Sequence, residues 1–241
     1  MTAPRLLLIS SSTVHGYGYL DHPEPEMRTF LGTKRKVAFI PFAIQDREAY
    51  TTRVRERLEK MNLDVIQVRN AADIESAEAI FTGGGNTFRL LHTLYELNLL
   101  KPIQQAVKQG VPYIGSSAGS NIAAPTIRTT NDMPIVQPRS FAALNLVPYQ
   151  INPHYLDADA SSTHTGETRE ARIREYLEEN EAPVVAIREG SMLRVENGIT
   201  MLLGLRPARI FRRGAEPVEV EAGNVIDLSL GLPPPSSTFA T

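Results

Sequence analysis

Short, unalternating apolar runs constrain this chain more than any other feature. A strand exposed on one face alternates polar and apolar residues, whereas one buried on both faces reads as a continuous run. Leu6-Leu7-Leu8-Ile9 is such a run, as are residues 37–42, 79–82 and 184–187, with a further strand at 64–68. Between them lie helical patterns. Tyr50, Val54, Leu58 and Met61 recur at spacings of four, four and three within residues 46–61, which makes one stripe of an amphipathic helix. Residues 87–97 carry Leu90, Leu91 and Leu94, and a helix over 99–109 ends at Gly110, a C-cap residue. A last helix spans 167–178 and bears Arg169, Arg172 and Arg174. Strands alternating with helices predict an α/β fold with a mostly parallel central sheet and helices on both faces. Short β runs at 192–195, 199–203, 208–211 and 218–220, parted by Asn-Gly and Arg-Gly turns, predict a C-terminal antiparallel extension. Residues 1–227 are expected to form one domain. Residues 228–241, rich in Pro and Ser, are expected to be an arm that could dock on a second subunit.

Composition narrows the chemistry. A net charge of −2 argues against nucleic acid as a partner, because phosphate binding needs clustered cations. With no cysteine in the chain, a thiolate nucleophile, a disulfide framework and a cysteine-bound zinc are all excluded. The five histidines are scattered and form no H-E-x-x-H pair, so neither metal nor cofactor is expected. No apolar run reaches the ~20 residues of a membrane span. Arg5 is followed by only four apolar residues before a serine cluster, which is no secretory leader. The expectation is a cytoplasmic protein with no membrane partner.

Ligands of open α/β sheets bind at the carboxyl ends of the strands. Those ends carry Ser10 to Thr13, Pro41-Phe42, Gly83-Gly84-Gly85-Asn86, Ser117, His154 and Glu189. The run at 111–114 leads into Gly115-Ser116-Ser117-Ala118-Gly119, a G-x-S-x-G pattern. In a nucleophile elbow this pattern puts a serine on a sharp strand-to-helix turn whose neighbours must be small. A hydroxyl, an imidazole and a carboxylate at the ends of strands of one sheet have the composition of a nucleophilic triad. The order Ser117, His154, Glu189 differs from the Ser-acid-His order of α/β-hydrolases. That order would need Asp157 or Asp159 as acid and His164 as base, in a polar stretch without strand support. Ser-His-Glu on a flavodoxin-like sheet is instead the layout of class I glutamine-amidotransferase-like hydrolases, with serine in place of cysteine.

Several motifs in order carry a closer likeness. Gly83-Gly84-Gly85-Asn86-Thr87-Phe88, Ile114 to Asn121, Pro125 to Pro134, Gln150-Ile151-Asn152-Pro153-His154, Gly166 to Glu170 and Glu189-Gly190 together resemble peptidase E, the α-aspartyl dipeptidase family of serine peptidases. The likeness covers residues 6–220. It implies a glutamine-amidotransferase-like three-layer sandwich and a cytoplasmic hydrolase of peptides with a free N-terminal aspartate, mostly Asp-X dipeptides. Cyanophycinase, which cuts β-Asp-Arg units, is a related family. Ser116 departs from the pattern, since a bulky aromatic is common there.

In this reading Ser117 is the nucleophile, with Ser116 and Ser120 as the neighbouring alternatives. His154 is the general base and then the acid to the leaving amine. Glu189 orients it. The Ala118 amide and that of Gly85 or Gly84 would form the oxyanion hole. A phosphate cradle is the other use of three glycines, but no Lys-Ser or Lys-Thr follows them. Asp132, following the family, together with Arg169 and Asn86, are the candidates for binding substrate. Arg169 suits a bidentate carboxylate contact, or else lies on a solvated helix face. A relaxed-specificity peptidase and an inactive ligand-binding relative are the other functions compatible with these residues.

Overall fold

The structure is a computed structural model and describes residues 3–158 and 166–228. Asp159, His164 and residues 229–241 lie outside this range. The strands are β1 (Leu6–Ile9), β2 (Lys36–Ile40), β3 (Asp64–Gln67), β4 (Ala79–Thr82), β5 (Tyr113–Ser116) and β6 (Gln150–Pro153). They continue with β7 (Val184–Ile187), β8 (Ser191–Glu196), β9 (Ile199–Gly204), β10 (Ala208–Phe211) and β11 (Val218–Val220). The helices are α1 (Glu24–Leu31), α2 (Arg47–Glu59), α3 (Ala71–Glu75), α4 (Thr87–Glu96), α5 (Leu100–Lys108), α6 (Ala118–Asn121) and α7 (Arg169–Glu179).

Seven strands form the main sheet in the order β3-β2-β4-β5-β1-β8-β9. The first five run parallel, and β8 and β9 close the far edge antiparallel to their neighbours. Strand residues alternate between two apolar layers, as a period of two requires. Leu6, Leu8, Ala38, Ile40 and Ile80 pack with Leu90, Leu94 and Ile103 of α4 and α5. Leu7, Ile9, Val37, Phe39 and Phe81 pack with Phe30 of α1 and Val54 and Leu58 of α2. Burial on both faces is thus the physical content of the continuous runs. The α/β class and the mostly parallel central sheet are as expected.

A second sheet, β11-β10-β7-β6, is a departure. Its Ile151, Val185, Ile187 and Ile210 join the same apolar layer as α4 and α5, while Val184, Ala186 and Phe211 lie under Ile173 and Leu177 of α7. This corrects the expectation that Ser117, His154 and Glu189 end strands of one sheet. The edge of β1 is taken by β8, and β6 pairs with β7 alone. The antiparallel extension is divided, with β8 and β9 on the main sheet and β10 and β11 on the second. Two helices were not foreseen, α1 and α3. No described helix is long and apolar enough to cross a membrane.

Candidate active site

The carboxyl ends of β4, β5 and β1, three neighbours in the main sheet, carry the glycine turn, Ser117 and Ser10. Ser117 directly follows β5 and caps α6 with φ 52° and ψ −109°, in the region that non-glycine residues rarely occupy. Its N–H donates to the Ile9 carbonyl at 3.0 Å. The turn is tight enough that a methyl group on Gly119 would run into the Thr82 carbonyl of β4. Only glycine allows α6 to start that close to the sheet.

Of the three serines here, Ser117 alone is free to react. Ser116 and Ser120 are both 0 % exposed. The Ser120 hydroxyl lies 2.7 Å from the Ile9 carbonyl and 2.9 Å from that of Gly115. The Ser116 hydroxyl has no hydrogen-bond partner among the described residues. Ser117 Oγ stands 2.9 Å from His154 Nε2, and His154 Nδ1 stands 2.7 Å from Glu189 Oε1. An ionised carboxylate can only accept, so the proton of the neutral ring sits on Nδ1, and Nε2 is left to accept from the serine. His154 directly follows β6 with φ 54°, and Glu189 stands two residues beyond β7. Asp157, the alternative acid, is engaged elsewhere.

The amides nearby divide clearly. Gly83 donates to Ile40 and Asn86 to Ala43. The Gly84 N–H donates to the Tyr50 hydroxyl at 2.9 Å, a phenol whose pKa burial pushes up and which therefore stays neutral. Gly84 is thus corrected as an oxyanion donor. The N–H groups of Gly85 and Ala118 hydrogen-bond to no described residue. Sequence reasoning missed Tyr50, which it placed only in a helical stripe.

Comparison with known proteins bears on this geometry. Residues 6–203 match peptidase family S51. The chain is 53% identical over 228 residues to "Peptidase E" of Streptomyces coelicolor, covering 93% of each. The chain belongs to peptidase family S51. It is also 46% identical to "Probable alpha-aspartyl dipeptidase" of Drosophila melanogaster, over 88% of this chain and 91% of the relative. In structure this S51 peptidase is similar to a putative peptidase E protein of Listeria monocytogenes, with TM-score 0.65 and 24% identity, covering 84% of this chain and 98% of that one. It is similar as well to a peptidase from an acI-B1 actinobacterium, with TM-score 0.67 and 16% identity, over 93% and 97% of the two chains. These two likenesses concern the fold.

The residues expected at the substrate have visible duties in this S51 peptidase. Asp132 Oδ2 accepts from the Thr87 N–H at 2.7 Å, the Thr87 hydroxyl at 2.6 Å and the Thr130 hydroxyl at 3.2 Å. Asn86 caps α4 by accepting from the Arg89 N–H and donates to the Met133 carbonyl. The side chain expected to meet substrate is therefore occupied at both ends inside the protein, clamping the loop after α6 to the glycine turn. Arg169 opens α7, where Thr168 supplies the cap. Burial, and then the cation of Arg172, pull the pKa of its guanidinium down, and the Asp132 carboxylate opposes them. Asp132 also helps line a cavity of about 590 Å³ with Phe88, Thr130, Phe141, Arg172 and Tyr176, to which none of Ser117, His154 and Glu189 contributes. Among the described residues no three His, Asp or Glu side chains converge as metal ligands would.

Arg188 holds the strand end that carries Glu189. Its five N–H groups reach both Asp157 oxygens at 2.6 and 2.7 Å, both Glu219 oxygens at 2.8 and 2.9 Å, and the Pro207 carbonyl at 2.9 Å. The hydrogen bonds from Arg188 hold the Asp157 carboxyl below its ordinary pKa. A depressed folded-state value means that the folded chain binds fewer protons, so the contribution is present above the unfolded pKa of about 3.9. It is lost as pH falls through the lower folded value. The gap in urea midpoint between wild type and Asp157→Asn should therefore hold from pH 7 to about pH 4 and close only below it, as pH falls through the folded value. A gap that persists unchanged well below about pH 4 would count against the linkage.

Proposed function

We propose that the protein is a cytoplasmic serine dipeptidase that hydrolyses Asp-X dipeptides, with Ser117, His154 and Glu189 as its triad. The observation that carries this reading is the relay of 2.9 Å from Oγ to Nε2 and 2.7 Å from Nδ1 to Oε1. Ser117 Oγ attacks the carbonyl carbon of the N-terminal residue as its proton passes to His154 Nε2. The charge that grows on the carbonyl oxygen is met by the Gly85 and Ala118 amides. Glu189 stabilises the imidazolium, which then gives its proton to the leaving nitrogen as the C–N bond breaks. Water attacks the acyl-enzyme as His154 takes its proton, and His154 returns that proton to Ser117 Oγ as the ester bond breaks and aspartate leaves. The names of the relatives, "Peptidase E" and "Probable alpha-aspartyl dipeptidase", support aspartate at the cleaved position. Arg169 is the cation proposed for its side-chain carboxylate, with Asp132 shaping the site.

A dipeptide panel tests the reading. Asp-Leu is expected to exceed Ala-Leu in kcat/KM by about 10²-fold or more, because alanine leaves the cation of a carboxylate site unpaired, and to exceed Glu-Leu by about 10-fold or more, because the extra methylene misplaces the carboxylate. Preference for β-Asp-Arg would point to a cyanophycinase-like enzyme. Equal rates on all would mean relaxed specificity. No turnover, with no labelling of Ser117 by a serine-directed phosphonate, would make the protein a binding relative.

A further inference from the structure

The nucleophile follows a strand of the main sheet, while the base and its carboxylate follow strands of the second. The two sheets share no strand ladder, so backbone pairing does not fix the distance from Ser117 to His154. Something else must hold a hydrogen bond of 2.9 Å between them.

Two successive residues at the end of β1 meet both halves of the site. The Ile9 carbonyl accepts the N–H of Ser117 at 3.0 Å. The next residue, Ser10, turns its hydroxyl toward the second sheet. Ser10 Oγ accepts the N–H of His154 at 3.0 Å and donates to the Ile187 carbonyl at 2.9 Å. Ile187 is the last residue of β7, two before Glu189. Ser10 is itself fixed, since its N–H donates to the Ser191 carbonyl at 3.0 Å. We infer that Ser10 is a positioning residue: through its hydroxyl it sets the backbone of His154, and with it the imidazole, against Ser117.

Three physical points support this. First, Ser10 is 0 % exposed, so water has little access to replace a lost hydroxyl at its partners. Second, a hydroxyl carries one proton and two lone pairs, so it can accept from one strand end and donate to another at once. Third, His154 has φ 54°, a conformation that persists only where its surroundings over-determine it. Other side-chain ties hold β6 from α6 and the loop after it: Asn121 Nδ2 and Thr129 Oγ1 donate to the Ile151 carbonyl at 2.8 and 2.9 Å, and Asn131 Nδ2 to the Pro153 carbonyl at 2.7 Å. They fix the strand up to the peptide before His154, whereas Ser10 bonds the N–H of the residue that carries the ring.

The inference rests on the reading of His154 as base, and the experiment separates the two. Ser10→Ala removes the hydroxyl with little change of volume. A misplacement on the scale of 1 Å costs about 10²-fold, so kcat for Asp-Leu should fall roughly 10- to 10²-fold while KM stays within about twofold. A structural control is Leu58→Ala, at a buried position of α2 that packs away from the triad. It should lower Tm yet leave kcat within about twofold, measured well below the transition. If Ser10→Ala does not fold, Ser10→Cys keeps the shape with a weak donor and acceptor, and the same loss in kcat at unchanged KM is expected of it. A folded variant with kcat within about twofold of wild type overturns the inference. His154→Gln is run in parallel. If it retains activity, the assignment of the base has failed; if it is inactive while Ser10→Ala is fully active, only the role of Ser10 has.

Discussion

Ser117→Ala is expected to lower kcat/KM on an aspartyl p-nitroanilide by about 10⁴-fold or more, with the melting temperature unchanged or raised. The loss is large because the substitution removes the attacking atom itself. What survives is the polarisation of the carbonyl by the Gly85 and Ala118 amides, which such sites retain without their nucleophile. The effect on stability follows from the backbone. Ser117 sits at φ 52° and caps a helix with no hydrogen bond from its side chain, so the fold loses no cap when the hydroxyl goes. Among the described residues its Oγ is bonded to His154 alone, at 2.9 Å, and His154 is partly open to water. Activity assays beside thermal melts check both halves. Retained hydrolysis by a folded Ser117→Ala protein would remove Ser117 from the mechanism.

Gly85→Ala is expected to reduce kcat by about 10²- to 10³-fold, the usual cost of one oxyanion donor, with KM close to wild type. Gly85 has φ +130°, and a methyl group there would stand 2.6 Å from the Ala43 carbonyl and 2.8 Å from Ile44 Cγ1. The first of these is backbone and cannot step aside, so the turn itself must rotate and carry the Gly85 N–H off the oxyanion position. The ground-state carbonyl depends little on that contact, which is why KM is spared. Gly198→Ala is the matched control. It too has a positive φ, +78°, but nothing lies within 4 Å of its added methyl, and it belongs to the turn between β8 and β9. It should carry the conformational strain without the loss of rate. If Gly85→Ala keeps kcat within about threefold, the donor is another group.

The sequence shows much of this fold because burial leaves a local signature. Leu6 to Ile9 and Val184 to Ile187 are continuous apolar runs since both faces of their sheets are covered, and the strands fall where those runs do. The elbow is legible for the same kind of reason, as Gly119 leaves no room for a side chain against Thr82. Helix α1 has eight residues and opens on Pro23 and Pro25, which break an apolar pattern although proline suits the first turn of a helix. Helix α3 has five residues, too few to show a period, and its signal was the capping box of Asn70 and Asp73. Strand partners leave no local trace at all. β6 and β7 form a sheet apart while β8 occupies the free edge of β1. In the site, each side chain of the relay could be named from its strand end, but the partner of the Gly84 amide is Tyr50, thirty-four residues away. Ser10 was visible as a strand-end residue, and its two hydrogen bonds to distant strand ends were not.

The division of the site between two sheets sets apart the conditions for being folded and for being active. Most of the main sheet's hydrogen bonds and its layer of α1 and α2 would survive if the smaller sheet lifted slightly from the shared helical layer. Such an excursion is a sub-global opening, available at a fraction of the free energy of complete unfolding. It would part the imidazole from the hydroxyl without unwinding either strand. The expected result is that activity is lost at a lower urea concentration than the far-UV circular dichroism of the fold; coincident midpoints would mean that the two sheets part only on complete unfolding.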